Sequence, residues 1–540
     1  MKEDTMVRFN TKKNVSNNGL GVITTATADN VFTGRTEPVR VLNPEGGVGY
    51  QRDAKSELFI AAVSTLNEDT FYEGSDERSE RINDLVAKIA DDADWIIGLV
   101  HWLRYDAGLR SVPVMIAADA VHARLANGQT GQNRDIVRSS MLRLDEPSEF
   151  LAYWINTFGR KIPSSVKRGI NDVLAKHLTE ESYLKWRGKA QRGSMALRDV
   201  VNLTHPKPVS DYQSSVYDVI LSDAYRHEDS HRTADDYRAI GLSVIGSRTE
   251  FLFMSVEDQI AALSGPSSKD IINNARLTHE VIAGSIGKIP AEVWKNLVPF
   301  MGYTALRMNL RRMSEAGIDQ DTIDQVNTIL GDVDKVRSSR TMPMQFLSAY
   351  RNAPLDYSAA LQRGANGALE NVPELSGRTL ILVDRSGSMD FNTSEHGTLR
   401  AADGANIFAA SLALRSHRAD VVAFNDSVKP VPVTSNDLLR VAESMPRAGG
   451  GTDIRGAVEA SYHGQDRVIV LTDEQSWSSN DSFEGIVHDT VPCYTWNLVG
   501  YASSHTIAKK NRYTFGGLSD KGFKAILLLE AGYREHWPWE

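Results

Sequence analysis

The chain has 540 residues, with 60 Lys and Arg against 69 Asp and Glu for a formal net charge of −9. That length is too great for one ordinary core and implies two domains or a repeat array, and the net acidity argues against a nucleic-acid partner engaged over the whole surface. The single cysteine, Cys493, excludes an intrachain disulfide and a cysteine-based zinc site. No apolar run reaches membrane-spanning length and no basic-then-apolar secretion signal opens the chain, so a soluble cytoplasmic protein with no membrane partner is expected.

Residues 1–30, rich in Asn and Thr, read as a mobile segment. From about Lys55 to Tyr350 the pattern is helix after helix: Glu57–Ser64, Ser79–Ala90, Asp92–Tyr105 and Val112–Leu125, then Ser148–Phe158, Pro163–Leu178, Ser182–Ala190 and Tyr212–Leu221. Glu257–Ala262, His279–Ala283, Ala291–Gly302 and Ala305–Glu315 continue it. Pro113, Pro163 and Pro290 fall at helix starts, where a missing N–H is least costly. Short amphipathic helices must bury one face against their neighbours, which predicts an α-solenoid of degenerate helical pairs, with a compact helical bundle as the alternative.

Charge is uneven along this region. Between Lys161 and Pro208 stand Lys161, Lys167, Arg168, Lys176, Lys185, Arg187, Lys189, Arg192, Arg198 and Lys207, opposed only by Asp172, Glu180, Glu181 and Asp199. Tyr183 and Trp186 are interleaved. A smaller basic cluster, Arg307, Arg311 and Arg312, has the spacing to share one helix face. Such patches bind phosphates by charge and counterion release, largely without reading sequence; a solvated face over aromatic core anchors is the plainer interpretation. A stretch with Gly364, Gly367 and Pro373, Ala353–Glu374, reads as a linker with some flexibility.

The last third alternates strands and helices. Candidate strands are Thr379–Val383, Asp420–Phe424, Arg467–Thr472, Cys493–Leu498 and Phe523–Leu529, with helices over Leu399–Ser416 and Leu438–Met445. That alternation predicts right-handed crossovers in a doubly wound α/β domain. The first strand runs into Asp384-Arg-Ser386-Gly-Ser388, the second helix into Gly449-Gly-Gly-Thr452-Asp453, and the third strand into Asp473-Glu474. Loops at the carboxyl ends of parallel strands meet where ligands bind. A hard cation such as Mg²⁺ takes octahedral oxygen ligands and gives up its waters reluctantly. The DxSxS element with its two following loops resembles the metal-ion-dependent adhesion site of von Willebrand factor A domains. That resemblance implies that Ser386, Ser388 and Thr452 touch Mg²⁺ or another divalent cation directly, with Asp384 and Asp473 balancing its charge, mostly through water.

With the helical region before it, the chain resembles the Ro autoantigen family, a TROVE module followed by a von Willebrand A-type domain, and its bacterial members in particular. The resemblance rests on Gly108-Leu-Arg-Ser-Val-Pro113, Val166-Lys-Arg-Gly-Ile170, Leu197-Arg-Asp-Val-Val-Asn-Leu-Thr-His-Pro-Lys-Pro208, Glu292-Val-Trp-Lys-Asn-Leu297, Thr304-Ala-Leu-Arg-Met-Asn-Leu-Arg-Arg-Met313 and Arg340–Tyr350. It implies a ring of HEAT-like helical repeats over residues 31–365, closed by an A-type domain over 366–540. It further implies that small non-coding Y-like RNA binds the outer basic surface and that single-stranded ends of misfolded RNA enter a central hole. In bacterial members the Y RNA tethers a 3′ exoribonuclease, polynucleotide phosphorylase. Carried onto this chain, the Y RNA contacts are Lys167, Arg168 and His205, and the protein is expected to be a monomer.

Other chemistries fail. Gly284-Ser-Ile-Gly-Lys288 lacks phosphate-loop spacing, and no HExxH, GxSxG or GxGxxG stands in a suitable context. Two-metal nuclease sites use several carboxylates, unlike this hydroxyl-rich set. No enzymatic activity is expected. Two functions remain: an RNA-binding scaffold serving RNA quality control, and a metal-dependent protein-interaction module on a helical scaffold.

Overall fold

A computed structural model describes residues 40–42, 48–50, 54–63, 75–186, 195–222, 232–390, 399–473, 482–498, 511–516, 522–532, 537 and 539. The amino-terminal thirty residues, Arg187, Lys189, Arg192 and Glu474 lie outside this set. After a two-stranded antiparallel ribbon, β1 (Arg40–Leu42) and β2 (Val48–Tyr50), the described residues up to 368 form helices and the short turns between them. Helices pack mostly on those one to three places further along, so the layers stack in sequence order, as in a solenoid, rather than around one shared bundle axis.

Boundaries follow the local chemistry. Asp92 caps helix Ala93–Tyr105 by accepting from the Trp95 N–H at 3.1 Å. Helix Ser111–Ala126 is tied back to its predecessor by Arg124, whose guanidinium donates to the Ala90 carbonyl at 2.6 Å and to Asn133 Oδ1 at 2.8 Å. Glu146, wholly buried at the start of helix Glu146–Phe158, pairs with buried Arg104 and accepts from the Leu142 and Arg143 N–H groups at 2.6 and 3.0 Å. Several helices are too short to stand out by periodicity in sequence, among them Asn133–Ser139, Leu197–Thr204 and Val333–Ser339.

The expected linker is instead structure. Ser358–Ala368 is a helix, with Leu361, Gly364, Ala365 and Ala368 buried. Its small residues permit close approach: a Cβ on Gly364 would lie 2.6 Å from the Leu330 carbonyl and 2.7 Å from the Phe346 ring. Glycine here serves packing, not flexibility.

The carboxyl-terminal sheet has six strands in the order β5-β4-β3-β6-β7-β8, with β3 Leu375–Asp384, β4 Ser416–Phe424, β5 Val428–Pro430, β6 Arg467–Thr472, β7 Cys493–Asn497 and β8 Arg512–Gly516. All neighbours are parallel except the edge pair β4–β5. Both faces are covered, which is why β3 and β6 read as unbroken apolar runs. Ile381, Val383, Ile469 and Leu471 join one core with Phe408 and Leu412 of helix Ala401–Arg415. Leu380, Leu382, Val468 and Val470 join another with Ile454, Ala457 and Val458 of helix Ile454–Ser461.

One expected strand is a helix: Phe523–Gly532. A short apolar run cannot be assigned by periodicity alone, and Lys524, Ala525 and the leucines favour helix. The outer parallel strand is β8, whose Tyr513 and Phe515 stack on Tyr494 and Trp496 at 5.3 and 4.4 Å. The sheet domain touches both ends of the helical region. Arg351 of helix Met344–Asn352 holds Asp403 through two bonds of 2.6 and 2.7 Å, and Lys524 donates to the Asp106 carbonyl at 2.9 Å.

Candidate metal centre and nucleic-acid interface

From β3 the chain builds outward through β4 and β5 on one side, then crosses back to lay β6, β7 and β8 on the other, so the strand order reverses at β3. The carboxyl ends at such a reversal form the crevice where open α/β sheets bind ligands. Asp384 ends β3 and Asp473 follows β6; both are fully buried. Asp384 Oδ1 accepts from the Ser386 N–H at 2.7 Å, and Oδ2 accepts from the Thr472 hydroxyl at 2.5 Å. The Ser386 and Ser388 hydroxyl oxygens lie 3.1 Å apart. Burial, with the Asp473 charge nearby, pushes the Asp384 carboxyl up to about 6 despite those hydrogen bonds.

The glycine loop is fastened beside this element. The Gly449 N–H donates to the Arg385 carbonyl at 2.7 Å, and the Gly387 N–H donates to the Gly450 carbonyl at 3.0 Å. Asn425 Nδ2 donates to the Gly449 carbonyl at 2.6 Å, and the Gly451 N–H donates to Asp426 Oδ2 at 2.8 Å. Thr452 follows, buried, with Asp453 capping helix Ile454–Ser461. Sequence reading missed Asn425 and Asp426, whose only signal was a turn after β4. It also missed the side chain of Arg385, which donates to Asn406 Oδ1 at 2.8 Å. The donor set, two buried carboxylates and small hydroxyls on loops pinned to one another, suits a hard divalent cation. Among the described residues no three His, Cys, Asp or Glu side chains converge.

The basic stretch is built on helix Ser164–His177 and helix Leu197–Thr204. Lys161, Arg168, Lys176, Lys185, His205 and Lys207 are exposed, and Lys167 and Arg198 are half-exposed. Asn171, one turn beyond Lys167, donates to the Thr204 carbonyl at 3.1 Å. That bond brings the Lys167–Arg168 turn beside His205, which sits in the left-handed region (φ 50°, ψ 60°) as the carboxyl cap of its helix. All four opposing carboxylates are engaged: Asp172 by Arg134 at 2.5 Å, Glu180 by the Ile245 N–H at 2.7 Å, Glu181 by Arg276 at 3.5 Å and Asp199 by Arg198 at 3.4 Å. Among the described residues Lys161, Lys167, Arg168, Lys176 and Lys207 pair with no carboxylate. Trp186 is half-exposed, with the Arg143 guanidinium 4.4 Å from its ring and Lys185 at 5.3 Å.

The second basic cluster is not one face. Helix Tyr303–Met308 breaks at Asn309 before helix Leu310–Glu315. The break turns Arg307 inward, where it is buried, donates to the Gln345 carbonyl and lies 5.7 Å from the Phe346 ring. Arg311 is exposed but holds Glu315 at 2.7 Å, and exposed Arg312 reaches Asn309 at 3.4 Å. Arg307 is therefore a packing residue, withdrawn as a candidate phosphate contact.

The family model of the TROVE domain matches residues 285–385, the last helical layers and all of β3. A search of the curated proteins found no match. Among solved structures, the chain is similar to the crystal structure of the Ro (RSR) protein of Deinococcus radiodurans. The two share 20% identity at a TM-score of 0.63, over 87% of this chain and 99% of that one. The chain thus carries a TROVE-domain match over residues 285–385 and shares its architecture, helical layers followed by a six-stranded α/β sheet, with the fold of that Ro protein.

Proposed function

We propose that this protein is an RNA-binding scaffold. Its outer basic surface, carrying Lys161, Lys167, Arg168, Lys176, His205 and Lys207, takes a small structured non-coding RNA of the Y type. Single-stranded ends of misfolded RNA enter the space enclosed by the helical layers, and the bound complex serves RNA quality control, with a 3′ exoribonuclease tethered through the RNA. The observation that carries this reading is the row of cations with no carboxylate partner among the described residues, three of the four local carboxylates being engaged from outside the stretch and Asp199 by Arg198 within it. Double-stranded RNA is recognised mainly through shape, phosphates and 2′-hydroxyls, which suits Lys and Arg on a helical face. The chain contributes no catalytic step in this scheme. Sequencing RNA crosslinked to the protein in its native cells tests it: discrete small RNAs crosslinked within 161–207 are expected, and the absence of enriched RNA would sink the proposal.

A second reading draws on the metal loops. Ser386, Ser388 and Thr452 would hold Mg²⁺ with Asp384 and Asp473 balancing its charge, and the cation would accept a carboxylate from a protein partner. Support comes from the mutual fastening of the two loops at the sheet reversal. A protein that copurifies stoichiometrically in Mg²⁺ and dissociates in chelator would establish this role, alone or beside RNA binding.

A further inference from the structure

Phe150, Trp154 and Phe158 recur at four-residue spacing along helix Glu146–Phe158, so they share one face. Phe150 and Trp154 are buried with near-parallel rings 6.4 Å apart, and Phe158 meets Trp154 edge-on at 5.0 Å. On Phe158 lies the imidazole of His122, from helix Ser111–Ala126, stacked at 4.0 Å with 8° between the planes. His122 is exposed. With one face covered by Phe158, that exposure belongs to the opposite face and the ring edge. Tyr153 ties the two helices together by donating at 2.8 Å to buried Asp119, one turn before His122. The aromatic column is thus held from both helices before any ligand arrives, which lowers the ordering cost of binding.

Beyond Phe158 the chain turns at Gly159, whose φ of 87° lies in the left-handed region, and runs through Arg160 and Lys161 into helix Ser164–His177. The Trp154 ring N–H donates to the Lys161 carbonyl at 3.2 Å, fastening this turn to the column. Arg160 and Lys161 are exposed, and among the described residues neither pairs with a carboxylate. An exposed ring face therefore stands at the amino-terminal edge of the basic surface, next to two cations suited to phosphate. Desolvation holds the His122 imidazole below its ordinary value, so at neutral pH it offers a π face rather than a charge.

We infer that His122 is a stacking site for an unpaired nucleobase of the structured RNA, with Arg160 and Lys161 holding the phosphates that flank it. The inference rests on RNA binding by the outer basic surface and adds a selectivity that charge alone lacks. Lys and Arg on a helical face accept any duplex of the right shape, whereas unpaired bases are splayed out and stacked on Phe, Tyr, Trp or His. A nucleotide bulged from the stem is the fitting occupant, because the stem itself lies on the adjoining cations.

Three hairpin RNAs with one common stem test this on the full chain: one fully paired, one with a single 2-aminopurine bulged from the stem, and one with that base in a 3′ tail. Quenching of the bulged 2-aminopurine is expected on binding. His122→Ala should weaken binding of the bulged hairpin about tenfold, the scale of one lost base–aromatic stack, and leave the paired hairpin unchanged. His122→Phe keeps a ring on Phe158 and should restore both affinity and quenching. Failure of that rescue, quenching confined to the tailed RNA, or equal affinity for paired and bulged hairpins without quenching would each overturn the stacking site while the RNA-binding reading stands. Binding of none of the three RNAs would overturn both.

Discussion

Replacing Lys167 and Arg168 together by Ala removes two cations from the centre of the basic surface. Neither is buried nor paired with a carboxylate among the described residues, so stability should hold within roughly 0.5 kcal/mol. If each contacts one phosphate, the slope of log K against log salt falls by about 1.8, taking the duplex value of ~0.9 per contact. Extrapolated to a common value at ~1 M, that slope change weakens binding roughly 30-fold at about 0.15 M salt. The assay is filter binding of a structured small RNA across a salt series, beside a single-stranded tail that should lose less. An unchanged slope for structured RNA would refute the argument, because counterion release depends on the number of neutralised phosphates and not on how they are recognised.

Three further outcomes follow from particular contacts. Mg²⁺ should raise the melting temperature of the parent protein, by an amount corresponding to about 2.7 kcal/mol at one hundred times Kd, and Asp384→Asn should abolish that response; a persistent response would exclude Asp384 from the site. Gly364→Ala pushes a methyl toward the Leu330 carbonyl and the Phe346 ring, and overpacking of this kind costs about 1–3 kcal/mol; a chemical-denaturation midpoint at the parental value would show that the helix can shift. Burial pushes the Asp119 carboxyl from 3.8 up to about 7, although Tyr153 donates to it at 2.8 Å. The folded state then keeps a proton that the unfolded chain releases, so this group's contribution falls as pH rises from about 4 to about 7. The melting-temperature difference between parent and Asp119→Asn should change across that window, and a flat difference would mean Asp119 ionises normally.

The candidate metal loops stand out in the sequence because their residues are short, polar and adjacent, and because the first and third follow apolar runs that are strands. Asp384, Ser386 and Ser388 span five positions, so local chain geometry alone brings them together. What fastens them was not legible. Asn425, Asp426 and Asn406 act through contacts whose partners lie 21 to 25 residues away, and each looks in sequence like an ordinary turn or helix-surface residue. The basic surface was visible as composition, but its uncompensated state depends on where four carboxylates go; Arg134 reaches Asp172 across 38 residues and Ile245 reaches Glu180 across 65. Arg307 failed for the converse reason: the i, i+4 spacing to Arg311 assumes an unbroken helix, and Asn309 breaks it.

Helix Ala401–Arg415 shows how the two halves come to depend on one another. Its Asn406 holds Arg385 between two of the candidate metal ligands, and three residues earlier its Asp403 holds Arg351 of the last helical layers. Residues at i and i+3 share a helix face. One face of one helix therefore carries both the support of the metal loop and an ion pair to the helical region. Burial raises the Asp403 carboxyl, but Arg351 and the Arg400 N–H outweigh it and hold the group below its ordinary value, so it remains charged at neutral pH and the pairing is maintained. The helix could be recognised in sequence by its apolar side, Ile407, Phe408 and Leu412. Its polar side, which joins the site to the rest of the molecule, acquires meaning only once the helical layers have folded back to meet it.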